Sequence, residues 1–335
     1  MTTITTMIMT MIMTRTITTD KYGRIPMAVL EELVESQLDE WPDARRNYDG
    51  LRATERRCAP LGDLNAAVQL NPARIRSTGA AVDKASVAAR PCFLCAANRP
   101  EEQFAVQIAP GWQLLVNPFP ILPMHFTIVS ERHEPQSAIP LDMATIAERL
   151  PGMAVFFNGA RAGASAPDHL HLQAVLRDEL PLLRLAEEKH PSDMGGFQTS
   201  GQLGLDVPFQ FMSGVINPDT AGMLSLMKAT QTFGIDAETG ARDKGLVNAF
   251  FWIDDRGLMR VVVIPRRAHR PPHYFREDGK RLVISPGAID MAGIMITPRS
   301  EDFSAVTPEI MREIYSAVAF ADTLPTEITE HFKTV

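Results

Sequence analysis

Asp168-His169-Leu170-His171-Leu172-Gln173-Ala174-Val175 is the stretch on which the reading of this chain turns. Polar and apolar residues alternate along it, and in an extended strand alternate side chains share a face. His169, His171 and Gln173 then line one side while Leu170, Leu172 and Ala174 pack on the other. Nitrogen-bearing side chains repeated along one strand face make a site; the plainer alternative, a solvated polar face, is usually built from Lys, Glu and Thr. The preceding loop, residues 159–168, is rich in Gly, Ala and Ser, small residues that let backbone N–H groups approach a phosphate closely. Asn158, Gly163 and Ser165 are its phosphate-site candidates.

Outward from this segment, Met153–Phe157 and Leu170–Leu176 read as strands that flank the loop. Phe104–Val116 and Phe126–Val129 read as earlier strands, separated by Pro118, Pro120 and Pro123. Met27–Leu38 has apolar residues at helical spacing, and Ala144–Leu150 and Leu180–Glu188 also read as helical. Residues 191–204, with Gly195, Gly196, Gly201 and Gly204, read as a linker. Beyond it lies an echo: Leu115-Val116-Asn117-Pro118-Phe119 against Leu246-Val247-Asn248-Ala249-Phe250, then Met124–Val129 against Met259–Ile264. Kept order at a near-constant offset points to a duplicated α+β unit. The expected domains are a catalytic unit at 23–190 and a second, degenerate unit at 205–335. Ser285–Pro298 is expected as the second unit's counterpart of the histidine segment, with no histidine in it. The first unit would carry the chemistry and the second would close the site or bind part of the substrate. Residues 1–22, almost all Thr, Met and Ile to Thr19, are expected to be a disordered extension.

The 335 residues, 45% hydrophobic and 22% charged, are enough for a substantial core. A net charge of −7 with no concentrated basic face argues against bulk-charge binding to nucleic acid. No run of 18 apolar residues is present, so no membrane helix is expected, and a cytoplasmic location follows. The cysteines are Cys58, Cys92 and Cys95. An odd count fits a reducing compartment better than a disulfide framework. Cys92-x-x-Cys95 reads as half of a zinc site or as a redox dithiol; the second normally opens a helix, whereas Arg90-Pro91 puts this pair in a loop.

His169-Leu170-His171-Leu172-Gln173 resembles the motif of the histidine-triad superfamily, with Gln173 where hydrolase members carry a third histidine. That change resembles the transferase branch, which contains galactose-1-phosphate uridylyltransferase, the diadenosine tetraphosphate phosphorylases and the GDP-hexose phosphorylases. Pro91–Asn98 and Ser130-Glu131-Arg132-His133 are similar to zinc-binding segments of the uridylyltransferase, and Ala292-Gly293-Ile294-Met295 to the C-terminal part of the diadenosine phosphorylases. Asp168 is an extra residue relative to the uridylyltransferase pattern, which displaces the counterpart of Ser165 by one position.

The resemblance implies an α+β fold of two histidine-triad-like units, each an antiparallel sheet with helices. It implies a nucleotidylyltransferase in which His171 is the nucleophile, Gln173 stabilises charge on the transferred phosphoryl group, and His169 supports the site. Cys92, Cys95, His133 and His169 would hold a structural zinc ion. Asn117 and Phe119 would contact the nucleotide, or else serve as a turn residue and a core aromatic. Arg74 and Arg76 would neutralise phosphates, or are ordinary surface arginines. His125 and His269 read as structural. The expected donor is an NDP-hexose and the acceptor phosphate or a sugar phosphate. A dinucleoside polyphosphate phosphorylase is the alternative, and a nucleotide-binding protein without turnover a further one. The expected partners are these small molecules, with neither nucleic acid nor membrane, and a homodimer is compatible with the sequence.

Overall fold

The structure, a computed structural model, describes residues 14–15, 18–75, 84–191, 196–217, 219–230, 234–236 and 238–332. Arg76, most of the expected extension and Gly195 lie outside the described residues.

Among the described residues the strands are β1 Thr14–Arg15, β2 Arg56–Cys58, β3 Ala67–Leu70, β4 Ala105–Ala109, β5 Trp112–Val116, β6 Phe126–Ser130 and β7 Met153–Asn158. They continue with β8 His171–Leu176, β9 Phe197–Thr199, β10 Met212–Ile216, β11 Val247–Ile253, β12 Met259–Pro265 and β13 Ile294–Thr297. They form a ten-stranded sheet in the order β1-β4-β5-β6-β8-β7-β11-β12-β10-β9, and a three-stranded sheet, β13-β3-β2. The expected strand over 104–116 is a hairpin instead: Gly111, at φ +78°, turns the chain between β4 and β5. A positive φ is open to glycine at little cost, so Pro110-Gly111 is a turn rather than strand interior.

The central strands are apolar runs such as Met-Ala-Val-Phe-Phe and Met-Arg-Val-Val-Val-Ile because both faces of the large sheet are covered. One face meets helix α1 (Met27–Glu40), the helix Met143–Glu148 and the helix Thr220–Thr230. There Leu30, Val34, Met143, Ile146, Met223 and Leu226 join Ile128, Phe157, Phe251 and Val261 in one core. The opposite face meets the helices Pro181–Lys189, Ala288–Met291 and Pro308–Val318. There Leu183, Ile289, Ile314 and Tyr315 pack with Phe156, Phe250, Trp252 and Val262. The period-2 alternation of a strand sends Phe156 and Phe157 to opposite cores.

The long sheet contains two equivalent sets of strands. Read from each outer side to the middle, β5-β6-β8-β7 and β9-β10-β12-β11 have the same order, each with one helix between its second and third strands in sequence. The sets join where β7 and β11 run antiparallel, with Phe156 opposite Phe250 and their ring centroids 5.8 Å apart. This arrangement corrects three expectations. The strand equivalent to β8 is β12, not the segment Ser285–Pro298, whose β13 pairs in parallel with β3. Neither pair of matching strings joins equivalent strands: those around Asn117 and Asn248 lie at β5 and β11, and Met124–Val129 and Met259–Ile264 at β6 and β12. Finally, the expected linker 191–204 contains β9, hydrogen-bonded to β10 at the edge of the sheet.

The register gives the second set's counterparts of the key residues. Gln173 is opposite Phe156, and Val262 opposite Phe250. Val262 therefore stands where Gln173 stands, and Arg260, two residues earlier, where His171 stands. Arg260 is buried and tied by Nε to Asp254 at 2.9 Å, and the long Gly159–Leu170 loop is replaced by the short turn Asp254–Leu258.

Candidate active site

His171 opens β8 and is nearly fully buried. Gln136 sets its position. The Gln136 Nε2 amide donates to the carbonyls of Asn158 and His171, and its Oε1 accepts from the His171 N–H, all at 2.8 Å. One buried amide thus bridges β7 and β8 where the loop separates them.

The His171 ring is oriented by its own strand. Nδ1 lies 2.8 Å from the carbonyl of His169, which can only accept, so Nδ1 carries the proton and Nε2 keeps its lone pair. Among the described residues no group bonds to Nε2, and His171 lines a large cavity. Burial pushes the imidazole down to about 4, so it is neutral near pH 7. A neutral ring with one bare nitrogen, on a residue that lines the cavity, has the lone pair that a nucleophile needs.

Gln173 shares the same strand face and lines the same cavity. Its Oε1 lies 2.8 Å from His125 Nε2. His125 is fully buried, and desolvation, with the nearby charge of Arg74, pushes its imidazole down to about 3.

The cavity encloses about 920 Å³ and takes walls from the first strand set and from the segment beyond β12. One wall carries Trp41, Asn47, Asn117 and Phe119; another carries Gly163 and Ser165 of the loop; a third carries His269, Arg270, Ser285 and Asp290. Asn117 also works as a turn residue, its Oδ1 accepting from Phe119 N–H at 2.9 Å and its Nδ2 donating to Thr127 at 3.1 Å. Arg74 lines the cavity beside Phe119, whose carbonyl it holds at 3.0 Å; burial lowers its guanidinium to about 10, which leaves it charged at neutral pH. Asn158 lines the cavity but commits its Oδ1 to Asn248 Nδ2 at 2.9 Å and Ala288 N–H at 2.7 Å. Gly163, at φ +101°, passes so near the segment beyond β12 that a Cβ on it would lie 2.5 Å from the Cα of Gly287. The residues sequence reasoning missed, among them Gln136, Arg270, Ser285 and Asp290, carry no motif and reach the site only through tertiary packing.

Cys92, Cys95, His133 and His169 come together beside β8, their ligand atoms all within 4.8 Å of one another. Cys92 Sγ lies 3.3 Å from His169 Nδ1, and Cys95 Sγ lies 3.2 Å from His133 Nδ1 and 3.6 Å from His169 Nδ1. Both rings turn Nδ1 inward and have an oxygen behind Nε2: the Ser130 carbonyl at 2.8 Å for His169, and Asp168 at 3.7 Å for His133. Two sulfurs and two imidazoles backed by outer acceptors fit a tetrahedral metal ion. The fit leaves His169 holding the cluster to the strand, with its carbonyl anchoring His171. His169 then has no free ring nitrogen for a direct catalytic part.

The crystal structure of yeast Ap4A phosphorylase Apa2 aligns with a TM-score of 0.54 at 17% identity, over 87% of this chain and 98% of that one. The fold is histidine-triad-like. The same yeast enzyme in complex with Ap4A aligns with a TM-score of 0.53, also at 17% identity, covering 88% and 99%. An Arabidopsis thaliana ADP-glucose phosphorylase with bound ADP-glucose aligns at 14% identity and a TM-score of 0.32, over 78% of this chain and 99% of that one. A domain family of unknown function (DUF4922) matches residues 33–176, a span that takes in the Cys/His cluster and all of β8. No curated protein matches the sequence. Among the described residues of this histidine-triad-like fold, no helix is long and apolar enough to cross a membrane.

Proposed function

We propose that the protein is a nucleotidylyltransferase that forms a covalent nucleotidyl-histidine on His171. The observation that carries this reading is the His171 ring itself: Nδ1–H fixed on a backbone carbonyl, Nε2 bare and facing a large cavity. Nε2 attacks the α-phosphorus of a bound nucleotide. The phosphorus–oxygen bond to the leaving group breaks, and that oxygen departs with the bonding electrons. Phosphate or a sugar phosphate then attacks the same phosphorus, and the imidazole leaves with its lone pair restored. The Gln173 amide donates to a non-bridging oxygen as charge develops there.

The donor we favour from the motif is an NDP-hexose, whose sugar phosphate is the first leaving group. A dinucleoside polyphosphate is the second reading, and the likeness to the yeast phosphorylase along nearly its whole length favours it. In both, zinc held by Cys92, Cys95, His133 and His169 stiffens the strand beneath His171 and takes no part in the transfer.

Intact-mass spectrometry at neutral to basic pH, with a panel of NDP-sugars and dinucleoside polyphosphates and no acceptor, tests the reading. The expected result is a gain of one nucleoside monophosphate, absent in His171→Ala and discharged by added phosphate. Tight nucleotide binding with no adduct from any donor would identify a binding protein instead.

A further inference from the structure

We propose that His125 is a positioning residue for Gln173: it fixes which end of the glutamine amide faces the substrate. The inference deepens the nucleotidyl-transfer reading and rests on it for its kinetic consequence, but its structural content stands alone.

His125 immediately precedes β6, whose Thr127 lies opposite Gln173 on β8. The Ile121 backbone N–H donates to His125 Nδ1 at 3.1 Å. A backbone amide is only a donor, so Nδ1 is the bare nitrogen and, in the neutral ring, Nε2 carries the hydrogen. That hydrogen needs an acceptor, and the atom 2.8 Å away belongs to the Gln173 side-chain amide. Gln173 must therefore turn its oxygen inward to His125, which leaves its NH₂ pointing outward. Among the described residues that NH₂ has no protein partner, and Gln173 lines the cavity beside His171.

Without His125, the two ends of the amide are nearly equal in shape and either could face the cavity. A carbonyl oxygen turned toward the phosphoryl group would repel the charge that the NH₂ stabilises. The Ile121 backbone amide thus sets the polarity of the catalytic amide through one neutral imidazole. Asn117 Nδ2, 3.5 Å from His125 Nε2, is committed to Thr127 and offers no competing acceptor. The equivalent position in the second strand set is Phe211, as the register of β10 on β12 requires, so a ring without nitrogens fits this part of the fold.

The test follows adduct formation on His171 by intact mass in the full chain, comparing wild type, His125→Phe, His125→Gln, Gln173→Ala and the double variant His125→Phe/Gln173→Ala. The expected result is a slowing of about 10- to 100-fold in His125→Phe, close to that of Gln173→Ala, since an oriented donor at a developing oxyanion is worth about that much or more. The double variant should be no slower than Gln173→Ala. His125→Gln, which can both accept from Ile121 and donate to Gln173, should recover most of the rate. Unchanged nucleotide affinity in the variants separates positioning from misfolding. Rates that multiply in the double variant, or an active His125→Phe, overturn the proposal. Should wild type form no adduct, the transfer reading fails, and nitrogen NMR of His125 decides the rest. A protonated Nε2 and bare Nδ1 keep the assignment of the amide, and the reverse tautomer ends it.

Discussion

His125 couples the site to stability as well as to orientation. In the unfolded chain its imidazole has the ordinary value of 6.5, whereas burial, reinforced by Arg74 and opposed by the bond to Gln173, pushes it down to about 3 in the fold. Between these values the unfolded chain binds a proton that the folded chain refuses. Stability from this residue is therefore complete above pH 6.5 and is lost as pH falls toward 3. Each such histidine adds a slope of up to ~1.4 kcal/mol per pH unit. His125→Gln should flatten the stability curve across that acid window relative to wild type, as read by urea unfolding at a series of pH values. Two parallel curves would mean that His125 is protonated in the folded protein. At the residue scale the sequence was informative where chemistry is local. The shared face of His169, His171 and Gln173 is legible from alternation alone, whereas the Cys/His set and the roles of His171 and Gln173 came from the family resemblance. His125 reads as structural because what gives it a role, an amide donor behind it and a glutamine ahead, comes from two other parts of the chain.

At the scale of elements, the junction of β7 and β8 rests on Gln136. This side chain is fully buried and satisfies three backbone groups of the two strands, one of them the N–H of His171. Gln136→Leu would keep much of the volume but strand those groups, each at about 1–3 kcal/mol. We expect a loss of about 3 kcal/mol in urea unfolding, with a greater loss of transfer activity than of nucleotide affinity, because the nucleophile shifts while the cavity walls stay. A variant as stable as wild type would show that water or a relaxed strand replaces the amide. Most elements were legible, since Met27–Glu40, β6 and β7 follow the apolar periodicity of the chain. The 104–116 segment was not, because apolar residues on both sides of Pro110-Gly111 hide the turn that glycine makes there.

Across the whole molecule, the two strand sets share one sheet, so a clip at one end acts on a structure without an internal break. The Cys/His cluster joins the 92–95 loop to His133, just beyond β6, and to His169, just before β8, two adjacent strands of that sheet. Purified protein should contain about one zinc per chain, and Cys92→Ser or chelation should lower the single thermal transition by about 5 °C or more. A metal-free chain with an unchanged Tm would show that the four side chains hold no structural ion. The echo that suggested a duplication joins strands that are not equivalent, so the relation of the two sets was not legible in the sequence. The Leu-Val-Asn strings match because strand edges reuse the same residue types, whereas the pairing that relates the two sets is Phe156 with Phe250, a match that only the assembled sheet reveals.

The close pass of Gly163 over Gly287 has a consequence for descent. Gly163 lies in the loop between β7 and β8 and Gly287 in the segment beyond β12, and no side chain on Gly163 leaves room for the backbone opposite. The steric condition falls on Gly163, which cannot drift while the backbone at Gly287 stays where it is. Among homologues that keep this cavity, Gly163 should be retained wherever the segment around Gly287 is retained. Lineages that lose Gly163 should have rebuilt the segment around Gly287, so that this glycine marks a shared cavity architecture.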